Sequence, residues 1–145
     1  MNDQSKELSS SIKLINDKLH FIGTIGDNDP LSIDYIPPLG DDLGYTSLEL
    51  LLLSLSSCLG SAILTFLRRM NKNIGGLEIQ SSGIRREEHP TGFRLIKLTI
   101  EIISYDITKE DMKKVIALAE DKYCPVWSMI KGNTTVETCF KINIP

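Results

Sequence analysis

The stretch "SLELLLLSLSSCLGSAILTFLRR", residues 47–69, is the most apolar part of the chain. Its length is sufficient to cross a membrane. However, Glu49 and five serines interrupt it, it ends on Arg68 and Arg69, and no second apolar span accompanies it. We therefore predict a helix that is buried inside protein and makes no membrane contact.

The same helix has clear start and stop signals. Thr46 or Ser47 can cap its first turn, where Glu49 places a negative charge at the positive end of the helix dipole. Basic residues follow its other end, and we predict that it reaches about residue 71. Apolar residues lie all around it, and a chain of 145 residues has difficulty covering a helix of about 35 Å on every side. The pattern therefore predicts a homodimer.

Strands are predicted on both sides of this helix. Three short alternating segments precede it, and the segment 93–104 alternates with four aliphatic residues on one face. Thr108 and Asp111 begin a second helix, and Pro125 begins a short helical turn. This order, βββ-α-ββ-α-β with mostly antiparallel strands, predicts one α+β domain over residues 1–145, with a loose tail over 1–10. The predicted elements are strands 11–15, 19–25 and 31–36, helix 46–71, strands 77–86 and 93–104, helix 108–122 and strand 134–143.

Composition and charge narrow the class of protein. The net charge is −3 and no long Lys/Arg run occurs, so nucleic acid is not an expected partner. The N-terminus has no apolar segment of the kind that signal peptides contain, which predicts a cytoplasmic protein with reduced thiols. The three cysteines and two histidines lack metal-ligand spacing, so neither a metal nor another cofactor is predicted.

Two cysteines are candidates for chemistry. Pro125 is typical of the first position of a helix, so Cys124 is predicted to be an N-cap residue. Free N–H groups and the helix dipole would lower the pKa of a thiol there; the alternative is a small buried side chain before a turn. Cys58 lies midway along the apolar helix, among small residues that leave room for a neighbouring element, although a cysteine there is more often a core residue. Cys139, in the last strand, is predicted to be structural.

These two cysteines stand in motifs that resemble those of the OsmC/Ohr family, the osmotically inducible and organic-hydroperoxide-resistance proteins. Residues 47–69 resemble the family's "PxELLLAALxxC" helix, and "ALAEDKYCPVWSMI", residues 117–130, resembles its second cysteine segment. The likeness covers roughly residues 10–143 and is greatest to an OsmC-like branch. It implies an OsmC-like fold, an intertwined α+β homodimer in which the long helices pack centrally and the active sites lie at the subunit interface.

The resemblance also implies an activity, the thiol-dependent reduction of organic hydroperoxides. By position, Cys58 would attack the peroxide and become a sulfenic acid, and Cys124 would resolve it to a disulfide that an external dithiol reduces. Glu49 is a third candidate, either at the catalytic site or as a partner of the helix dipole. Peroxidase members also use an arginine from the N-terminal strands, whereas no arginine precedes Arg68 here. The alternative is therefore a non-catalytic dimer that binds a small apolar ligand or senses oxidants.

Overall fold

The computed structural model of the chain describes residues 7–145. Within that range, two three-stranded sheets are combined with three α-helices and one π-helical turn. The elements in chain order are β1 (Ser11–Leu14), β2 (Phe21–Thr24), β3 (Leu31–Ile33), α1 (Ser47–Arg69), β4 (Gly76–Arg85), β5 (Phe93–Ile103), α2 (Lys109–Leu118), the π turn (Ala119–Tyr123), α3 (Pro125–Ile130) and β6 (Thr135–Asn143).

The predicted α+β class and element order are confirmed, and two helix ends differ from the prediction. α1 ends at Arg69, because Asn71 adopts a φ of 58°, a left-handed conformation that terminates helices. The second helix is α-helical only to Leu118 and continues as the π turn. Of the predicted tail, residues 1–6 lie outside the described residues, and 7–10 belong to no strand or helix.

The chain divides into two compact units, one extending to Leu51 and the other comprising Leu52–Pro145. The first contains the antiparallel sheet β1-β2-β3. The loop after β3 is held by Asp34, whose buried carboxylate accepts hydrogen bonds from the N–H groups of Tyr35, Asp41 and Leu43 at 2.7, 3.2 and 3.1 Å. Buried carboxylates need such donors, and this one side chain contacts three backbone N–H groups of the loop.

The second unit contains the sheet β4-β5-β6. The prediction of mostly antiparallel strands is confirmed, since β1–β2, β2–β3 and β4–β5 are antiparallel, and β5–β6 is the parallel exception among the described strands. The reason is the connection: α2, the π turn and α3 lie between β5 and β6, and a long helical crossover joins parallel strands. The predicted alternation of β5 is confirmed. The buried side chains of the strand are Phe93, Ile96, Leu98, Ile100 and Ile102.

α1 contributes a narrow buried stripe to this unit. Leu55, Leu59, Ile63 and Leu67, spaced by four residues, are fully buried. Gly60 lies against β4, where an added Cβ would be 3.3 Å from Ile79 Cδ1, so the glycine allows the helix to approach the strand closely.

The prediction that α1 is covered on every side is not met within a single chain. Only 33% of its most apolar 18-residue window is buried, although the mean hydropathy there is 2.1, and Leu53 is half exposed. By length and composition α1 is a helix that could cross a membrane. The homodimer therefore stays a prediction.

The start of α2 agrees with its sequence signal. The Asp111 N–H donates to Thr108 Oγ1 at 3.1 Å, and the Thr108 N–H donates to Asp111 Oδ2 at 2.8 Å, which forms the predicted capping box. Lys72, one of the basic residues after α1, forms an ion pair with Asp111 at 3.1 Å. This basic residue thus ties the end of α1 to the start of α2.

Candidate thiol site

The fold brings Cys58 and Cys124 together from distant parts of the sequence. Cys58 is partly buried in the middle of α1, and Cys124 is 1% exposed at the start of α3. Both are free thiols, and their side chains lie close enough for Cys58 to affect the ionisation of Cys124. The pair that the sequence resemblance implies is therefore a neighbouring pair in this unit.

α1 presents Cys58 at the border between its buried stripe and its exposed face. Leu59 and Gly60, which follow it, are buried, whereas Ser57 and Ser61 are exposed. The Ser57 hydroxyl donates to the Ser54 carbonyl at 3.1 Å, so it is turned back along the helix. Ser56 Oγ is buried and has no hydrogen-bond partner among the described residues. Cys58 thus has partial access to solvent, which a reacting thiol needs.

The π turn determines where Cys124 lies. The Cys124 N–H donates to the Ala119 carbonyl at 2.9 Å, an i to i−5 hydrogen bond that closes the wider turn. Pro125 then occupies the first position of α3, and the Ser128 N–H donates to the Cys124 carbonyl at 3.0 Å. The predicted N-cap position of Cys124 is confirmed.

The predicted acidity of Cys124 is wrong. Burial, and then the neighbouring Cys58, raise the pKa of the Cys124 thiol from 9.0 to about 12. The amide N–H groups of Trp127 and Val126 act in the opposite direction, but no capping hydrogen bond reaches the sulfur. α3 has only six residues, so its N-terminal field is too weak to offset the loss of solvation. At neutral pH the Cys124 thiol is therefore protonated.

Glu49 belongs to the N-terminal unit and caps α1. The Thr46 N–H donates to Glu49 Oε1 at 2.9 Å, and the Glu49 N–H donates to Thr46 Oγ1 at 3.3 Å. This is a capping box, and the hydrogen bonds from Thr46 lower the pKa of the Glu49 carboxyl. These contacts support the role of Glu49 as a partner of the helix terminus. A catalytic role for Glu49 stays a prediction.

The third cysteine, the possible metal ligands and the arginine-lined cleft are not part of the thiol pair. Cys139 is exposed on β6, where its sulfur is 3.5 Å from Thr99 Oγ1. Across residues 7–145, no group of three His, Cys, Asp or Glu side chains is placed to hold a metal ion. A cleft of about 860 Å³ at the β4–β5 hairpin is lined by Arg85, Arg86, Arg94 and their neighbours and contains no cysteine.

Sequence reasoning missed an aromatic contact beside Cys124. The ring of Tyr123 packs on that of Phe66 in α1, with ring centroids 4.7 Å apart and an interplanar angle of 59°. The Arg69 guanidinium lies 5.5 Å from the centroid of the Phe66 ring. No local signal identifies this partner, because Phe66 and Tyr123 are far apart in sequence, and the helical pattern before Cys124 conceals the π turn.

Comparison with known proteins adds to this geometry. The sequence model of the family described as OsmC-like protein matches residues 40–138. Protein YhfA of Escherichia coli K12 is 21% identical over 101 residues, which are 70% of this chain and 75% of that protein. A hypothetical protein of Aquifex aeolicus VF5 has a TM-score of 0.85 at 20% identity, over 97% of this chain and 99% of its own. The organic hydroperoxide resistance protein OsmC of Legionella pneumophila has a TM-score of 0.72 at 17% identity, over 93% and 96%.

Proposed function

This chain belongs to the family of OsmC-like proteins, and from that premise we propose that it is a thiol-dependent redox protein that reduces organic hydroperoxides. The observation that carries the proposal is the proximity of Cys58 and Cys124, two free cysteines from separate helices whose side chains lie close enough for Cys58 to affect the ionisation of Cys124. Proximity of the two side chains is a requirement for such a pair, because a disulfide forms only between cysteines whose Cα atoms lie within about 7 Å.

In the proposed reaction the two thiols have different roles. Cys58, which is partly exposed, attacks the distal oxygen of the hydroperoxide as a thiolate; an S–O bond forms, the O–O bond breaks, and the alkoxide leaves and takes up a proton. Cys124, which is buried and protonated, then transfers its proton to the sulfenic oxygen as its sulfur attacks the sulfenic sulfur of Cys58. The disulfide forms as the S–O bond breaks, and water leaves with the Cys124 proton. An external dithiol reduces the disulfide and restores both thiols.

We further propose that the protein acts as a cytoplasmic homodimer. The support is the apolar surface that α1 exposes, because most of its most apolar 18-residue segment is not buried within one chain. Burial of such a surface against a second copy is favourable at roughly 25 cal/mol per Å² of apolar area. Light scattering without detergent should give about twice the chain mass of 16.2 kDa, whereas a monomer that partitions into lipid vesicles would contradict the dimer.

One sequence feature favours a second candidate, a non-catalytic dimer that binds a small apolar ligand or senses oxidants. No arginine precedes Arg68, so the N-terminal strands offer only lysine to stabilise a thiolate, and lysine lacks the planar fork of a guanidinium. The two candidates differ in the alkylation rate of Cys58 at neutral pH. A reacting thiol is alkylated fast, and an inert one slowly.

The deciding experiment is a non-reducing peptide map of the reduced protein after one equivalent of cumene hydroperoxide. We expect a Cys58–Cys124 disulfide to form in the wild type and equally in Cys139→Ser, because Cys139 contacts Thr99 and not the pair. Two free thiols after the same exposure would overturn the peroxidase proposal and favour the non-catalytic dimer. A disulfide that includes Cys139 would overturn the pairing itself.

A further inference from the structure

The segment that carries Cys124 is attached to α1 at two neighbouring points. One is the contact of the Cys124 side chain with Cys58, and the other is the packing of Tyr123 on Phe66. Tyr123 and Cys124 are adjacent residues, at the end of the π turn and the N-cap of α3. The position of the aromatic ring and the position of the sulfur are therefore coupled through a single peptide unit.

The π turn ends directly at these two points. Its i to i−5 hydrogen bond between Cys124 and Ala119 is a rarer and less favourable arrangement than continued α-helix, and such turns occur frequently at functional sites. Ala119, at the beginning of the turn, is fully buried, whereas Tyr123 at its end is 46% exposed. At the exposed end of the turn, the packing of the Tyr123 ring on Phe66 is a direct side-chain contact with α1.

We propose that Tyr123 is a positioning residue, whose packing on Phe66 sets how often the Cys124 sulfur reaches an oxidised Cys58. The proposal rests on the thiol chemistry given above. The step concerned is the attack of Cys124 on Cys58, in which the sulfur of Cys124 is oxidised, the sulfur of Cys58 is reduced, and its oxygen leaves as water. A small displacement of one reacting sulfur is enough to slow a step that depends on alignment.

The step can be measured without any peroxide, with a thionitrobenzoate disulfide reagent in a Cys139→Ser background. The partly exposed Cys58 attacks the reagent and releases one coloured thionitrobenzoate anion, which leaves a mixed disulfide on Cys58. The buried Cys124 then loses its proton to solvent as its sulfur attacks the Cys58 sulfur, displaces the second anion and forms the Cys58–Cys124 disulfide. The second release is intramolecular, so its rate does not depend on the reagent concentration.

We expect Tyr123→Ala to slow the second release about threefold to tenfold, in proportion to the contribution of an aromatic pair, and to leave the first release within about twofold. Tyr123→Phe should restore the wild-type rate, since the described residues show no hydrogen bond of the Tyr123 hydroxyl. Phe66→Leu, which keeps an apolar side chain in α1, should slow the second release as Tyr123→Ala does. Tyr105→Ala is the matched control, because Tyr105 is 77% exposed.

An unchanged second release in both Tyr123→Ala and Phe66→Leu would overturn the proposal. Equal slowing of both releases, or equal slowing in Tyr105→Ala, would also overturn it, because either result indicates a general loss of structure. With cumene hydroperoxide in place of the reagent, Tyr123→Ala should accumulate more sulfenic acid that dimedone can trap. If the wild type shows no peroxide reaction but a normal second release that Tyr123→Ala slows, the peroxidase proposal fails and the positioning role of Tyr123 remains.

Discussion

Two helix starts in this chain each carry an ionisable side chain, and the pKa values of the two groups are shifted in opposite directions. Thr46 and Glu49 at the start of α1 make two hydrogen bonds, and the pKa of the Glu49 carboxyl is lowered. Cys124 is the N-cap residue of α3 and is followed by Pro125, and the pKa of its thiol is raised to about 12. The difference is solvation: Glu49 is exposed and accepts a real hydrogen bond, whereas Cys124 is buried and accepts no capping bond. A helix terminus lowers a pKa only where desolvation does not outweigh it.

We expect the largest loss of hydroperoxide turnover from a change at Cys58, the cysteine beside the buried Cys124. Cys58→Ser should abolish turnover of cumene hydroperoxide in a coupled dithiol assay, because a serine hydroxyl cannot be oxidised to a sulfenic acid. Cys139→Ser, the matched change at the exposed cysteine, should leave turnover unchanged. Equal activity of Cys58→Ser and the wild type would end the assignment of Cys58 as the attacking thiol.

The next change tests Cys124 directly. Cys124→Ser should allow one round of oxidation and then leave the Cys58 sulfenic acid without a resolving thiol. Further peroxide should add about 32 or 48 Da to the Cys58 peptide, for two or three oxygens, as mass spectrometry can show. The wild type should instead stop at the disulfide. A Cys124→Ser protein that still forms an intramolecular disulfide would contradict the resolving role.

The raised pKa of Cys124 predicts a loss of stability in alkali. The folded-state pKa of about 12 lies above the unfolded value of 9.0. The contribution of the protonated Cys124 thiol to the free energy of unfolding is therefore complete below pH 9 and is lost as pH rises towards 12. By pH 10.5 the wild type should lose on the order of 2 kcal/mol relative to Cys124→Ser, from 1.36 kcal/mol per pKa unit. Urea unfolding of both proteins at several pH values measures this, and parallel pH profiles would indicate that Cys124 is not desolvated.

We expect the smallest effect, on the free energy of unfolding, from a change at Glu49 in the exposed first turn of α1. Glu49→Gln should lower the free energy of unfolding by a few tenths to about 1 kcal/mol at pH 7, through the weakened capping box. Because the folded-state pKa of Glu49 is lowered from 4.5, its contribution is present above pH 4.5 and is lost as pH falls through the folded value. Glu110→Gln, in the first turn of α2, is the control.

The same Glu49→Gln variant also tests a catalytic role. If the Glu49 carboxylate acts only as a cap, hydroperoxide turnover should stay within about twofold of the wild type, since the change is small in energy. A much larger loss of turnover, without a matching loss of stability, would establish Glu49 as a group of the reaction. The assay thus separates the two alternatives that the sequence leaves open.

Much of the fold could be predicted from local patterns. The apolar run of α1, the alternation of β5 and the capping box of Thr108 and Asp111 are all confirmed, because each depends on residues within a few positions of one another. The parallel pairing of β5 with β6 could not be predicted from the strands alone, since either direction suits the same alternation. The π turn was hidden for a similar reason, because its residues also suit an α-helix.

The candidate site likewise has some features that local sequence predicts and others that depend on tertiary contacts. Local sequence patterns are sufficient to predict that Cys124 is an N-cap residue before Pro125 and that Cys58 lies among small residues on an apolar helix, because backbone geometry and helical spacing are local. The three-dimensional arrangement is needed to see that burial and Cys58 raise the pKa of Cys124, and that Tyr123 packs on Phe66. The physical reason is that solvation and contact depend on what lies beside a side chain in space, which the neighbouring residues in sequence do not specify.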